Sequence, residues 1–406
     1  MKQKEISLVV GPRQAGKTTL MRLLQEDLNK AGEKTLFLSL DTETDRPFFQ
    51  SQPSLLKKIE LEVGRGPAVV FIDEIQRKEN AGIFLKGLYD MNLPYKFVVS
   101  GSGSVELKER VHESLVGRKR LFEMSTVSFG EFIDFRLDYK YSDKLMTFLV
   151  LHPEKGRELL NEYLNFGGYP RVILAETMEE KRLVIAEIFQ SYLEKDIAYL
   201  LGIQKTDSLI GLVKILASQA GGLVNSRELS VTLGLSVQKV KDYLWYLEKT
   251  FVIRRLTPYH KNLRKELTKM GVIYFVDLGM KNYAIGQFGV ATRGAPQGLL
   301  FENFVFNNLH ERVQNKVSRL HFWRTQDKAE VDFVISAPDE LIPVEVKYQT
   351  LERPKITRSY RSFLANYQPK RGYIVHLGKS FEAEFDKAKI SFVPYFKIGD
   401  IVEGVS

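Results

Sequence analysis

Residues Gly11–Thr19 read GPRQAGKTT and follow a short apolar, β-branched run, Ile6–Val10. This is the pattern G-x-x-x-x-G-K-[ST] at the end of a strand with the composition of a buried parallel one. Leu20, Leu23, Leu24 and Leu28 then recur at helical spacing, so a helix follows the loop. Strand, glycine-rich loop and helix in that order form a cradle for phosphate. Gly11 and Gly16 let backbone N–H groups curl round an anion, Lys17 reaches the outer phosphate oxygens, and Thr18 ligates Mg²⁺. The helix N-terminus adds its own positive end. The candidate nucleotide-binding residues are therefore Gly11, Pro12, Arg13, Gln14, Ala15, Gly16, Lys17, Thr18 and Thr19, with ATP or GTP and Mg²⁺ as ligand.

Two further strands supply the context this motif needs. Ala68–Ile72 (AVVFI) is a second buried strand ending in Asp73-Glu74. An acidic strand end of this kind holds Mg²⁺ through the metal's water shell (Asp73) and positions an attacking water (Glu74). A third strand, Lys96–Ser100, runs into SGSGS and sets Ser100 and Ser102 at the carboxyl end of the same sheet, where open α/β sheets bind ligands. The first domain is thus a P-loop parallel sheet that binds and hydrolyses nucleotide.

Composition bounds the rest. The chain has 406 residues, 44% hydrophobic and 27% charged, which is globular composition with room for two to four domains. No apolar run approaches the ~18 residues of a membrane span; the longest lies near Leu145–Leu151. MKQKEISLVV leads straight into the loop, so no signal peptide and a cytoplasmic address are expected. Cysteine is absent, which excludes disulfides, thiolate zinc sites and cysteine nucleophiles. The six histidines are scattered without the i, i+4 spacing of a helical metal pair. A net charge of +9 suits a polyanionic partner or simply a solvated surface.

GPRQAGKTT, FIDEIQ, VVSGSGS, ESLVGR (113–118) and STVSFGEF (125–132) together resemble one group of archaeal and bacterial AAA-type ATPases. Members of that group carry a C-terminal domain of PD-(D/E)XK nuclease type. GGYP (167–170) and EKDI (194–197) fit the same group, so the resemblance spans nearly the whole chain. It implies ATP as the nucleotide and an arginine beyond the third strand that senses the γ-phosphate, in cis or from a neighbouring subunit. Arg118 matches that place. It also implies that the chain can form homo-oligomers. One departure is that only five residues precede the first strand, where the group carries a helical segment.

The ATPase core is expected over residues 1–128 and a helical lid over 129–202, where the apolar period is 3.6. Phe129, Phe132 and Phe135 read as its core face. Residues 203–290 then read as a winged helix-turn-helix. A helix (206–220) stops at Gly221-Gly222, Asn225-Ser226 caps a short second helix, and Ser236 caps a third. FVIRRLTPY follows as a strand. Gln238, Lys239 and Lys241 open the recognition helix, and the ribbon from Arg254 to Lys269 carries Arg254, Arg255, Lys261, Arg264, Lys265 and Lys269 against one acid, Glu266. That is a phosphate-contact pattern and makes nucleic acid, DNA first, the expected partner. Winged helices also dock proteins, and that reading stays open.

Past a glycine-rich boundary near residue 295, the expected order over 296–406 is α-β-β-β-α-β, an α/β restriction-endonuclease-like domain. A helix holds Glu302, a strand holds Asp332, and the strand after it holds Glu345-Val346-Lys347. Asp332 stands thirteen positions before Glu345, while Glu345 and Lys347 share one strand face. Asp332 and Glu345 can then hold Mg²⁺ or Mn²⁺ through oxygen, Glu302 can add a carboxylate from the helix, and Lys347 can orient water or neutralise phosphate. Gln349 lies on the same face. The arrangement resembles the archaeal Holliday-junction resolvases, and by that resemblance the catalytic set is Glu302, Asp332, Glu345 and Lys347.

Three functions fit the sequence. In the first, the ATPase controls a metal-dependent nuclease. In the second, the chain is an ATP-dependent DNA- or RNA-binding switch with an inert nuclease-like domain. In the third, it is a nucleotide-dependent scaffold whose winged helix docks proteins.

Overall fold

A computed structural model of the chain describes residues 4–102, 115–197, 206–260, 270–290, 297–314 and 316–403. The chain divides into two compact units. The first comprises 1–126, 188–204 and 242–252, and the second 127–187, 205–241 and 253–406.

In the first unit, β1 (Ile6–Gly11), β2 (Thr35–Ser39), β3 (Ala68–Asp73), β4 (Tyr95–Ser102) and β5 (Lys119–Glu123) form one sheet in the order β2-β3-β4-β1-β5. All pairings are parallel. Parallel sheets need cover on both faces, and β3 is accordingly buried along its whole length. Helices Lys17–Lys30, Gln52–Val63 and Ala81–Asp90 belong to the same unit. β2 and β5 were not foreseen in the sequence. Because every strand runs the same way, the ends of β1, β3 and β4 gather Gly11, Asp73 and Ser100 along one edge.

Of the four leucines at helical spacing in helix Lys17–Lys30, only Leu28 packs against the core. Lys17 and Met21, one turn apart, are its buried residues, and Met21 packs with Val69, Phe71 and Val98. Leu20, Leu23 and Leu24 are exposed at 48%, 54% and 36%. Periodicity identifies an apolar stripe but not which stripe the sheet takes; the loop geometry that buries Lys17 sets the helix rotation.

In the second unit, STVSFGEF forms a helix start. Ser128 Oγ accepts from Glu131 N–H, and Glu131 Oε2 accepts from Ser128 N–H, a capping box. Phe129 and Phe132 are buried as expected. Helix Pro153–Phe166 ends at Gly167, whose φ is +72°. There the GGYP turn is held by Asp277, whose Oδ2 accepts from Gly168 N–H at 2.7 Å while Oδ1 caps helix Leu278–Ala284 through Met280 N–H at 2.8 Å.

Helices Asp207–Ser218, Ser226–Leu233 and Val237–Lys249 are followed by the antiparallel pair β6 (Ile253–Leu256) and β7 (Val272–Phe275). Asn225 caps the second helix, and Ser236 Oγ accepts from Lys239 N–H at 3.2 Å at the start of the third. Of the third helix, the residues from Asp242 onward belong to the first unit.

The C-terminal sheet has six strands: β8 (Arg319–Arg324), β9 (Glu330–Ser336), β10 (Leu341–Val346), β11 (Arg371–His376), β12 (Phe381–Phe385) and β13 (Ala388–Pro394). Their order is β12-β13-β11-β10-β9-β8. Helix Gln297–Val313 contributes to one core cluster, with Phe301, Phe304, Ile335 and Val344. Helix Arg358–Tyr367 contributes to the other, with Val331, Val334 and Ile374. The α-β-β-β-α-β order is present; the β12–β13 hairpin was not foreseen. Leu256, Val272 and Tyr274 of the ribbon, and Phe129, Phe132 and Leu160 of the helical segment, belong to the first of these clusters.

Candidate functional site

The first site stands at the carboxyl edge of the parallel sheet. Gly16 takes φ +98° and Gln14 φ +58°, left-handed backbone on either side of Ala15 that curls the loop. At Gly11 a side chain is excluded by contact: a Cβ there would lie 2.1 Å from Met124 O, and Met124 N–H donates to Val10 O at 2.8 Å. Lys17 is buried and donates to Gly11 O at 3.1 Å and Pro12 O at 2.6 Å. Burial lowers its pKa to about 8, against the raising influence of Glu74 and Asp73.

Thr18, Asp73 and Ser100 are joined by hydrogen bonds. Thr18 Oγ1 donates to Asp73 Oδ2 at 2.9 Å, Ser100 Oγ donates to Asp73 Oδ1, and Glu74 N–H donates to Ser100 Oγ at 3.2 Å. The structure therefore brings together Lys17, Thr18, Asp73, Glu74 and Ser100. Glu74 takes φ +57°, a conformation that costs a non-glycine residue about 1–3 kcal/mol. Its carboxyl is shifted up, first by burial and then by Asp73, while a hydrogen bond from Gln76 Nε2 opposes the shift. Gln76 was missed in the sequence, although it stands in the quoted FIDEIQ.

Arg118 lies elsewhere. Its carbonyl accepts from Ile6 N–H, and Lys119 pairs with Ile6 at the start of β1, so it stands at the amino edge of the sheet. Five strand residues at ~3.3 Å each put it about 16 Å from the loop. Its Nε donates to Asp90 at 2.8 Å. Sensing of the phosphate bound to its own chain is thereby corrected: the sheet points Arg118 away from that loop.

The second site lies in the C-terminal sheet. β8 and β9 shift register between His321↔Val334 and Trp323↔Val331, so Asp332 and Phe333 together oppose Phe322. Such a bulge re-aims a side chain that strict alternation would fix. Asp332 Oδ2 accepts from Val346 N–H at 2.7 Å, across from β9 to the end of β10. Lys347 Nζ donates to Glu345 Oε1 at 2.7 Å, and Thr357 Oγ1 lies 3.3 Å from the same oxygen. Glu345 is buried, and its Oε2 has no hydrogen-bond partner. Glu302 Oε1 accepts from Tyr274 at 2.6 Å.

These groups act on one another electrically. Burial, then Glu330 and Glu345, raises Glu302 to about 7, with the Tyr274 hydrogen bond opposing. Burial, Glu302 and Glu345 push Asp332 well above the usual carboxylate range. Burial works against the charge on Lys347, but Glu345, Asp332 and Glu302 outweigh it and raise its pKa. A buried cluster with three carboxylates and one lysine favours a further positive charge, either protons or a cation. An oxygen-ligated divalent ion fits the pair Asp332–Glu345, because the unpartnered Glu345 oxygen is a free donor atom. Among the described residues, no three His, Asp or Glu side chains are gathered closely enough to hold a metal by themselves.

The nucleic-acid candidates are dispersed. Gln238, Lys239 and Lys241 are exposed on the third helix. Arg254 is half-buried with its guanidinium on His310 Nε2, and Arg255 is exposed, its side chain lying over Gly271. Lys261, Arg264, Lys265 and Lys269 lie outside the described residues. No helix among the described residues is long and apolar enough to cross a membrane.

Residues 3–133 match the family described as AAA domain, residues 157–290 a domain of unknown function (DUF8612), and residues 297–396 another (DUF4143). An uncharacterized protein of Mycobacterium tuberculosis is 28% identical over 92% of this chain and 77% of its own length. One of Haemophilus influenzae is 26% identical over 96% and 93%. One of Methanocaldococcus jannaschii is 25% identical over 86% and 76%. Among solved structures, the Aeropyrum pernix ORC1 protein in complex with DNA aligns over 71% of this chain and 88% of its own. Its identity is 13% and its TM-score 0.30. AMPPCP-bound DnaA from Aquifex aeolicus aligns over 61% and 83%, at 14% identity and TM-score 0.25. Likeness this slight carries no argument. The AAA match and the loop geometry make the N-terminal region an AAA-type P-loop ATPase domain.

Proposed function

We propose that this AAA-type ATPase controls a metal-dependent nuclease-like site on nucleic acid. The observation that carries the nuclease reading is Asp332, at a bulge of β9, beside Glu345 and Lys347 at the end of β10, with one buried Glu345 oxygen left unpartnered. Asp332 and Glu345 would hold Mg²⁺ or Mn²⁺; when bound, such an ion supplies charge for the scissile phosphate and lowers the pKa of a bound water. Lys347 would stabilise the phosphate's charge, and Glu302 would stand beside the pair as an outer carboxylate.

In the ATPase domain, Thr18 and Asp73 would hold Mg²⁺ with ATP, Lys17 would neutralise the outer phosphates, Ser100 would keep Asp73 oriented, and Glu74 would align the attacking water. Arg118 keeps only a role towards a neighbouring subunit's nucleotide in a homo-oligomer. Gln238, Lys239 and Lys241, with the basic ribbon, would contact phosphate of DNA from a winged helix. Nucleotide state would govern access to the carboxylates.

The second reading, an ATP-dependent switch that binds nucleic acid or docks proteins without cutting, is favoured by the lack of a ready-made group of three metal ligands among the described residues. Cleavage of labelled single-stranded, duplex and four-way-junction DNA with Mn²⁺, with and without ATP, decides between them. Cleavage by the wild type that is lost in Asp332→Ala supports the nuclease. DNA binding without cleavage on any of these substrates selects the switch.

A further inference from the structure

The carboxylate group has a wall that does not come from the C-terminal sheet. Tyr274 lies on β7, in the ribbon, and donates to Glu302 Oε1 at 2.6 Å. Its ring is fixed from two sides. It stacks on Phe306, one turn beyond Glu302 on the same helix, at 4.2 Å and 18°, and packs against Phe333, the residue after Asp332, at 5.8 Å. The next residue of β7 is held equally firmly. Asn303 Oδ1 accepts from Phe275 N–H at 2.9 Å, Asn303 Nδ2 donates to Phe275 O at 2.8 Å, and Asn307 Nδ2 donates to Val276 O at 3.0 Å. Successive residues of the helix, Glu302 and Asn303, thus engage successive residues of the strand, Tyr274 and Phe275.

The turn before the second helix of the three completes the wall. Gly221 N–H donates to Ile273 O at 2.9 Å, and Gly221 has φ +86°. A Cβ on Gly221 would come within 3.2 Å of Glu302 Oε1. Glycine is required there both by the left-handed backbone and by the closeness of the carboxylate.

We propose that Tyr274 is a positioning residue of the carboxylate site and that the ribbon and the Gly221 turn belong to that site. The hydroxyl fixes the rotamer of Glu302, so that it stands as an outer carboxylate beside the pair Asp332 and Glu345, which would hold an oxygen-preferring divalent cation. A tyrosine suits this task because burial and Glu302 keep its proton in place, leaving it a permanent donor. Outer partners that orient the groups around a metal commonly change its affinity 10- to 100-fold. The inference rests on the metal-site reading given above. It adds a residue from outside the endonuclease-like segment, and with it a direct contact from the ribbon to the carboxylates.

The test uses the full chain without nucleotide and Mn²⁺ alone as probe, with free Mn²⁺ followed by electron paramagnetic resonance. Asp332→Asn sets the background. Tyr274→Phe keeps the ring between Phe306 and Phe333 and removes only the hydroxyl. Its expected effect is Mn²⁺ affinity weakened about tenfold, with an unchanged circular dichroism spectrum and tryptophan fluorescence as evidence of folding. Gly221→Ala is expected to weaken Mn²⁺ in the same direction. Combined with Glu302→Gln, Tyr274→Phe should add nothing further, since its effect passes through that carboxylate. Equal Mn²⁺ affinity in wild type and Tyr274→Phe overturns this inference and leaves the metal site standing, and so does a Tyr274→Phe effect that persists in the Glu302→Gln background. Wild type that binds no more Mn²⁺ than Asp332→Asn overturns the metal site and the inference together.

Discussion

Thr18 donates its hydroxyl to Asp73 across 2.9 Å, joining the first turn after the loop to the end of β3. Both are oxygen donors, and Ser100 holds the other Asp73 oxygen, so the acid is oriented before any ligand arrives. Glu74, the next residue, has a different environment and a raised pKa from burial and Asp73. The two acids should therefore separate on mutation. Glu74→Gln is expected to keep ATP binding and lose hydrolysis by about 10²–10⁴-fold. Asp73→Asn should weaken Mg²⁺-dependent binding itself. Phosphate release together with binding of a fluorescent nucleotide checks this, and loss of binding in Glu74→Gln would refute the division.

Lys17 has its pKa lowered to about 8 by burial. A lysine depressed in the folded state binds fewer protons than in the unfolded chain between that value and its ordinary 10.5. Stability of the nucleotide-free chain therefore rises with pH across that window, and the cost of the buried charge is present in full below it. Phosphate requires the charged form. ATP affinity should be flat below pH 8 and fall about tenfold per pH unit above it until the lysine of the complex titrates. Fluorescent-nucleotide titrations from pH 7 to 9.5 measure this, and a flat profile throughout would exclude Lys17 as the responsive group. Lys17→Ala should abolish binding.

At Gly167 the backbone is left-handed, φ +72°, and a Cβ would meet Asp277 Oδ1 at 2.5 Å and Gly279 N at 2.5 Å. Gly167→Ala should destabilise the second unit by about 2 kcal/mol or more. Gly130→Ala is the control. Gly130 is exposed in helix Phe129–Arg136 with nothing within 4 Å of a Cβ, so alanine should gain about 0.5–1 kcal/mol. Urea unfolding of both variants decides the matter; equal midpoints would refute the role given to the turn.

Alanine at both Lys239 and Lys241 should weaken DNA binding and reduce the slope of log K against log salt by about 2. Both side chains are exposed on the third helix, so stability should be unaffected. An unchanged slope would assign that helix to protein docking.

The phosphate loop was legible because each residue in it answers a local demand: left-handed backbone at Gly16, close approach at Gly11, a charge at Lys17. The closeness of Glu345 and Lys347 was legible too, since strand alternation puts them on one face and they meet at 2.7 Å. Other features were not. Asp332 owes its orientation to a bulge, and an extra residue in one strand leaves no mark in an alternating pattern. Tyr274 sits in VIYF, where an aromatic looks like any core residue and its hydroxyl partner is 28 positions away. Arg118 was misplaced for its own chain because distance along the sequence says nothing about which edge of a sheet a residue occupies. Leu20, Leu23 and Leu24 show the same limit on a helix.

Leu256, Val272 and Tyr274 from the ribbon, Phe129 and Leu160 from the helical segment, and Phe301, Ile342 and Val344 from the C-terminal sheet and its helix share one cluster. Removal of the last third of the chain by itself would therefore lay bare the apolar side chains left behind by that cluster. A different sheet in that place would need matching changes at Phe129, Leu160, Leu256, Val272 and Tyr274, which pack in the same cluster. The β6–β7 pair and the helix that carries Glu302 therefore share one packed interior, so a variant stripped of the carboxylates keeps the core that surrounds them.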